Sequence, residues 1–127
     1  MKKLSSNVLI IAEAGVNHNG DLKLAKSLIK EASKTGVDFI KFQTFKAENL
    51  VTKNASKAPY QRKNGNKKEV AQYEMLKKYE LSKKNIIILK KYCDKYNIKF
   101  LSSIFDIESF NLLNNINEKY IKIPSSE

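Results

Sequence analysis

The stretch from Asp38 to Phe45 constrains the fold of this chain more than any other. It follows Gly36, a residue type that ends helices, and it is rich in the aromatic and β-branched residues that favour strands. Side chains alternate along a strand, so Lys41 and Gln43 share one face. A lysine in such an apolar strand needs an anionic partner if it is buried, and ligands of parallel α/β folds bind at the C-terminal ends of strands. The stretch therefore indicates a ligand-binding strand or, alternatively, an edge strand with Lys41 in water.

Short apolar segments alternate with helical patterns along the chain. The run Asn7–Ala12 is continuously apolar, which predicts a strand buried on both faces. Asp21 is a good N-cap, and apolar residues then recur at helical spacing as far as Gly36. Further strands are predicted at 99–103 and 119–123, and further helices at 69–79, after Ser82 and after Asp106, the last with Ile107, Phe110 and Leu113 on its apolar face. Such alternation predicts four parallel strands with right-handed crossovers.

Residues 46–68 interrupt this alternation. They contain several asparagines, one proline and frequent lysines, and a connection of this length is usually functional or disordered. Because the segment leaves the C-terminal end of the strand that carries Lys41, we predict an active-site loop with Tyr60 and Gln61 as candidate contacts.

Polar side chains collect at or near the ends of the predicted strands, namely Glu13, Lys41, Gln43, Ser103, Lys122, Ser125 and Glu127. A small flavodoxin-like sheet could hold four strands, whereas a complete (β/α)8 barrel needs about 250 residues. Inward positions near the mouth of a barrel tolerate polar residues because they line the active site, and two of the predicted strands present a lysine there. The pattern therefore favours the N-terminal half of a (β/α)8 TIM barrel over a complete open sheet.

Composition limits the class of protein. The chain has 127 residues, which is at most one domain, and its net charge of +11 comes from lysines spread along its length. This distribution favours a lysine-rich surface over a nucleic-acid interface. Cys93 lies in a helical apolar pattern, which predicts a buried structural thiol and suits a reducing compartment. The N-terminal apolar run meets Glu13 too early for a signal peptide, and no segment is long enough to span a membrane, so we expect a cytoplasmic protein.

Four segments resemble a known family: IAEAGVNHNGDL at 11–22, KFQTFKAE at 41–48, KAPYQ at 57–61 and KIPSSE at 122–127. They closely resemble, in the same order, the sialic acid synthases, which include N-acetylneuraminate synthase and its legionaminate and pseudaminate relatives. The resemblance implies condensation of phosphoenolpyruvate with an N-acylated amino sugar such as N-acetylmannosamine, with release of phosphate. It also implies a (β/α)8 barrel followed by a small antifreeze-like domain, a homodimer, and a divalent metal, manganese or magnesium.

The resemblance assigns phosphoenolpyruvate binding to Lys41, Ser103, Lys122 and Ser125, sugar contact to Gln43, and catalytic roles to Glu13 and Glu127. Two lysines and two hydroxyls suit phosphoenolpyruvate because it carries both a phosphate and a carboxylate.

The chain departs from the family pattern at Ile104, where proline is usual, and at Ser126, where glycine is usual. Residues 1–127 correspond to strands one to four of the barrel, and the later strands, the metal-binding histidines and the antifreeze-like domain have no counterpart in them. His18 is interpreted as a hydrogen-bonding residue of its loop, so no metal ligand is predicted here. Three interpretations remain open: the N-terminal part of an N-acetylneuraminate synthase, inactive by itself; the same part of an N,N'-diacetyllegionaminate synthase; or a non-catalytic half-barrel that serves as a binding or assembly module.

Overall fold

The computed structural model describes residues 8–51 and 65–125, and the side chains of all of these except 65–71. The elements in these ranges are β1 (Ile11–Gly15), α1 (Leu22–Lys34), β2 (Phe39–Thr44), α2 (Ala47–Leu50), α3 (Gly65–Tyr79), α4 (Lys83–Lys95), β3 (Lys99–Ile104), α5 (Ile107–Asn115) and β4 (Ile121–Lys122). The strands form one parallel sheet in the order β1-β2-β3-β4. Each strand lies beside its predecessor, as in the first half of a (β/α)8 barrel, and the predicted fold class is confirmed.

α1, α4 and α5 begin at the residues whose chemistry predicted it. Asp21, Ser82 and Asp106 are N-caps whose side-chain oxygens accept hydrogen bonds of 2.7–3.1 Å from backbone N–H groups two or three residues later. Gly36 and Asn97 take the left-handed conformation just after α1 and α4, with φ of +76° and +55°. Within the described ranges, no helix is both long enough and apolar enough to cross a membrane.

The helices cover one face of the sheet. Phe42 is fully buried on this face, and its ring stacks on that of Phe100 at 5.8 Å between centroids. The core around this pair includes Ala14, Ala25, Ile29, Ile40, Ile86, Leu89, Cys93 and Leu113. Since side chains alternate along β2, the burial of Ile40 and Phe42 under helices directs Lys41 and Gln43 to the opposite face. We call that opposite face the open face.

The first strand differs from its prediction. The apolar run Asn7–Ala12 was expected to be a strand buried on both faces, but β1 begins at Ile11 and Val8 to Ile11 are 48–69% exposed. β1 is an edge of the described sheet, so it pairs on one side only, and its register is fixed by pairing of Ile11 with Phe39. The correct strand is therefore shifted toward the C-terminus, and Glu13 lies within it rather than after it.

The predicted loop at 46–68 is partly wrong. α2 forms immediately after β2, closed by a hydrogen bond of 3.1 Å from Val51 N to Ala47 O. α3 begins at Gly65 rather than Glu69. Of the four added residues, Lys67 and Lys68 favour a helix, whereas Gly65 and Asn66, residue types that suggested a loop, do not. Tyr60 and Gln61 lie outside the described residues.

The predicted apolar face of α5 is also partly wrong. Leu113 is buried, but Ile107 is 76% exposed and Phe110 is 42% exposed. Together with Ile123 they line an apolar depression of about 400 Å³. α5 is buried on the side that carries Ser109 and Leu113, whereas Ile107 and Phe110 lie on its exposed side.

Cys93 is a structural residue of the core, as predicted. Its side chain is fully buried in α4, and burial raises the pKa of the thiol to about 12. The thiolate, which is the nucleophilic form, is therefore strongly disfavoured at neutral pH.

Candidate active site

The candidate site lies on the open face, toward the C-terminal ends of the strands. Lys41 of β2 pairs in register with Glu13 of β1, while Gln43 pairs with Ser103 of β3, which pairs in turn with Lys122 of β4. Residues in register point to the same side of a sheet. The structure therefore brings these five predicted site residues onto one face.

Lys41 has an anionic partner. Its Nζ lies 2.7 Å from Glu13 Oε2, and its side chain is 19% exposed whereas that of Glu13 is 51% exposed. β2 lies between β1 and β3, so the alternative of an edge strand with Lys41 in water is wrong. The Glu13 carboxylate therefore compensates the charge of the mostly buried Lys41 ammonium, and part of that carboxylate stays accessible to a ligand.

Gly15 is the last residue of β1 and shapes the open face at the C-terminal end of that strand. It was not singled out from the sequence. A Cβ at this position would lie 3.3 Å from Glu13 Oε1 and 3.8 Å from Gln43 Nε2, and the residue has φ +52°. The β1–β2 register shifts between Glu13 and Gly15. The missing side chain thus leaves room for the carboxylate and the amide to approach the backbone here, and a glycine at the end of a strand was the signal that could have indicated this.

The remaining predicted residues differ in position. Ser103 is 4% exposed, between Gln43 and Lys122 in the register, whereas Lys122 is exposed. β4 comprises only two residues, fewer than the predicted 119–123. Ser125 is exposed beyond β4, and Glu127 lies outside the described residues.

The part of the open face toward the N-terminal ends of the strands is mostly apolar. Phe39 and Leu101 are 3% and 6% exposed, and the ring of Phe39 meets that of Tyr120 edge-on at 5.4 Å. Lys99 Nζ lies 5.3 Å from the Phe39 ring centroid. The predicted site residues that carry charge or hydrogen-bonding groups therefore lie toward the C-terminal ends of the strands, whereas the Lys99 ammonium lies against the Phe39 ring at the other end.

His18 is a hydrogen-bonding residue of the β1–α1 loop, as predicted. The side chain is fully buried, and Nδ1 accepts a hydrogen bond of 3.0 Å from Gly20 N. Its ring lies 6.1 Å from that of Phe42, on the helix-covered face, and burial lowers its pKa. His18 therefore belongs to the packing that supports the loop.

The described residues do not fit a metal ion. No group of three or more histidine, cysteine, aspartate and glutamate side chains in these ranges could hold one. Glu13 is already paired with Lys41, and the nearby polar groups are an amide, a hydroxyl and a second ammonium.

The comparisons with known proteins agree with one another. The NeuB family model matches residues 28–127. An N,N'-diacetyllegionaminic acid synthase from Campylobacter jejuni is 54% identical over 119 residues, which are 94% of this chain and 35% of that protein. A protein of the same name from Legionella pneumophila is 49% identical over 123 residues, which are 97% of this chain and 34% of that protein. The chain thus spans about a third of the length of these relatives.

A solved structure matches as well. The crystal structure of an N-acetylneuraminic acid synthetase from Leptospira borgpetersenii, in complex with citrate, superposes with a TM-score of 0.72 at 32% identity. The match covers 95% of this chain and 40% of that one. The arrangement of strands and helices described above is therefore shared with part of a longer synthetase.

Proposed function

Because the chain belongs to the NeuB family, we propose that it is the N-terminal part of a synthase that condenses phosphoenolpyruvate with an N-acylated amino sugar and releases phosphate. One observation carries this proposal. Two lysines, a carboxylate, an amide and a hydroxyl lie on one face of a parallel sheet, toward the strand ends where such folds bind ligands.

The proposed phosphoenolpyruvate site is built around Lys41, Ser103 and Lys122. Lysine binds phosphate as a point charge, and the Ser103 hydroxyl can donate a hydrogen bond to the same anion. Lys41 is shared between Glu13 and the incoming anion, because its ion pair to Glu13 leaves the remaining N–H donors of the ammonium available. Ser125 belongs to the proposed site by resemblance and would contribute a second hydroxyl.

The proposed reaction forms one carbon–carbon bond. The terminal enol carbon of phosphoenolpyruvate attacks the aldehyde carbon of the sugar, and the aldehyde oxygen takes up a proton to become a hydroxyl. A water oxygen adds to the carbon that bears the phosphate ester and becomes the keto oxygen, as the bond from that carbon to the phosphate oxygen breaks and phosphate leaves. The two protons of the water thereby end on the new hydroxyl and on the phosphate. The attacking water must lose a proton, for which Glu13 and Glu127 are the proposed carboxylates. Gln43, whose amide approaches Gly15 as the Glu13 carboxylate does, is proposed to face the sugar.

Within this class, the relatives favour one product. Those at 54% and 49% identity are named N,N'-diacetyllegionaminic acid synthases, whereas the solved N-acetylneuraminic acid synthetase is 32% identical. A product with two N-acetyl groups requires a sugar that carries both, because phosphoenolpyruvate supplies no nitrogen. We therefore propose a di-N-acylated sugar as substrate and N,N'-diacetyllegionaminate as product, ahead of N-acetylneuraminate.

A divalent metal, a homodimer and an antifreeze-like domain are parts of the same proposal that rest on family resemblance, and a cytoplasmic location is a part that rests on the sequence pattern described above. Since the described residues do not fit a metal, its ligands are proposed to lie elsewhere in the protein, and no step above is assigned to it.

Titration of the chain with phosphoenolpyruvate by calorimetry tests the proposal. We expect one saturable site that is lost in Lys41→Ala and kept in Lys34→Ala, which removes an exposed lysine of α1 instead. Equal binding in the two variants would contradict the assignment of Lys41. No binding by the wild-type chain, together with a defined dimer in size-exclusion chromatography, would favour the non-catalytic assembly module.

A further inference from the structure

The chain leaves β2 through two successive backbone amides that are held by carboxylates from distant parts of the sequence. Lys46 N donates to Asp106 Oδ2 at 2.8 Å, and Ala47 N donates to Glu80 Oε2 at 3.0 Å. The Lys46 ammonium also lies 3.3 Å from Glu80 Oε1. These bonds join the exit of β2 to the α3–α4 junction and to the start of α5.

Glu80 is a mostly buried carboxylate, and both of its oxygens are engaged. Its side chain is 9% exposed, and Lys77 Nζ makes a further ion pair with Oε2 at 3.2 Å. Burial raises the pKa of Glu80, but the hydrogen bonds from Ala47, Lys77 and Lys46 outweigh this effect and lower it overall. The carboxylate is thus ionised at neutral pH, as a charge-assisted acceptor of backbone N–H requires.

Asp106 joins the exits of two neighbouring strands. While Oδ2 holds Lys46 N, Oδ1 caps α5 by accepting from Ser109 N at 2.7 Å. The same two exits are joined by an edge-on contact between the rings of Phe45 and Phe105, 6.4 Å between centroids. The ends of β2 and β3 therefore cannot separate without breaking several contacts at once.

We propose that Glu80 and Asp106 are positioning residues of the candidate active site, which hold the ends of β2 and β3 so that Gln43 and Ser103 meet a ligand together. We call the hydrogen bonds from Lys46 N to Asp106 and from Ala47 N to Glu80 the clamp. Only Thr44 and Phe45 separate Gln43 from the first amide of the clamp, so a shift of that amide reaches the Gln43 side chain directly. A displacement of about 1 Å can cost on the order of 100-fold in catalysis. The identity of the ligand rests on the proposed function, whereas the clamp itself does not.

Two substitutions separate this role from simple stabilisation. Asp106→Ser keeps an N-cap for α5, because serine caps nearly as well as aspartate, but its shorter side chain cannot also hold Lys46 N. Glu80→Ala removes the second contact. Glu118→Gln is the matched control: the Glu118 side chain is 6% exposed and paired to Lys90 at 2.6 Å, but it lies at the opposite end of the sheet, before β4.

The test combines backbone and side-chain amide NMR of the chain with a phosphoenolpyruvate titration. We expect Asp106→Ser and Glu80→Ala to shift the Gln43 side-chain amide signals and to raise the dissociation constant on the order of tenfold. Glu118→Gln should lower the melting temperature comparably and change neither the Gln43 signals nor the dissociation constant.

If Asp106→Ser leaves the Gln43 signals as unperturbed as Glu118→Gln does, the positioning role is refuted. If the wild-type chain binds no phosphoenolpyruvate, the proposed function fails, and the Gln43 signals still decide whether the clamp positions the site.

Discussion

Lys41 Nζ and Glu13 Oε2 lie 2.7 Å apart, so β1 and β2 meet in an ion pair on the open face of the sheet. The lysine is mostly buried and the carboxylate half-exposed, which gives the two partners different roles. Lys41 holds a positive charge inside the sheet, and Glu13 compensates it while part of the carboxylate stays accessible.

Loss of either site lysine should affect the two substrates unequally. In the complete protein, we expect Lys41→Ala and Lys122→Ala to weaken phosphoenolpyruvate binding by about 2–5 kcal/mol, because a cationic contact to a desolvated anion is removed. Binding of the uncharged sugar should change much less. Calorimetry with each substrate measures this, and an equal loss for both would indicate that the lysines are structural.

The 127-residue chain by itself should have no synthase activity. It spans about a third of its relatives, and its described residues do not fit the expected metal, so we expect it to be unable to align aldehyde and enol. Phosphate release from phosphoenolpyruvate with N-acetylmannosamine or a di-N-acetylated sugar, in the presence of manganese, is the assay. Turnover above background by the purified chain would overturn this expectation.

Cys93 should resist alkylation in the folded protein. Its thiol is buried and has a pKa of about 12, so almost no thiolate forms at pH 8. Iodoacetamide labelling followed by mass spectrometry should show slow reaction in buffer and fast reaction in urea. Equally fast labelling in both would mean that α4 opens readily.

His18 should make stability depend on pH. Burial lowers its pKa in the folded state below the ordinary 6.5, so the unfolded chain binds the proton more readily. The contribution of neutral His18 is complete above pH 6.5 and is lost as the pH falls below it. Urea unfolding at pH 7.5 and 5.5 should show a larger loss for wild type than for His18→Gln, and identical losses would exclude His18 as the cause.

The exposed apolar edge of β1 should promote self-association as salt rises. Val8 to Ile11 are 48–69% exposed, and unpaired apolar strands recruit partners, but the net charge of +11 opposes contact at low ionic strength. At 0.1 M salt, repulsion between exposed charges more than about 10 Å apart is largely screened. Sedimentation velocity should show growing oligomers from low to physiological salt, and fewer in Leu9→Lys. A salt-independent monomer would contradict this.

The local features of this fold were predictable from the sequence. N-caps at Asp21 and Asp106 and the left-handed residue Gly36 depend on hydrogen bonds and backbone angles that span only a few residues. β2 was predictable for a related reason, since it is locally rich in the aromatic and β-branched residues that favour strands. The candidate site residues came largely from family resemblance, and the parallel register explains why five of them share a face.

Tertiary structure alone decided the rest. The start of β1 depends on its register with β2 rather than on its apolar run, and the exposure of Ile107 and Phe110 depends on what lies against α5. The clamp joins Ala47 to a residue 33 positions away and Lys46 to one 60 positions away. No sequence period encodes such pairs, because their geometry exists only after the strands and helices have packed.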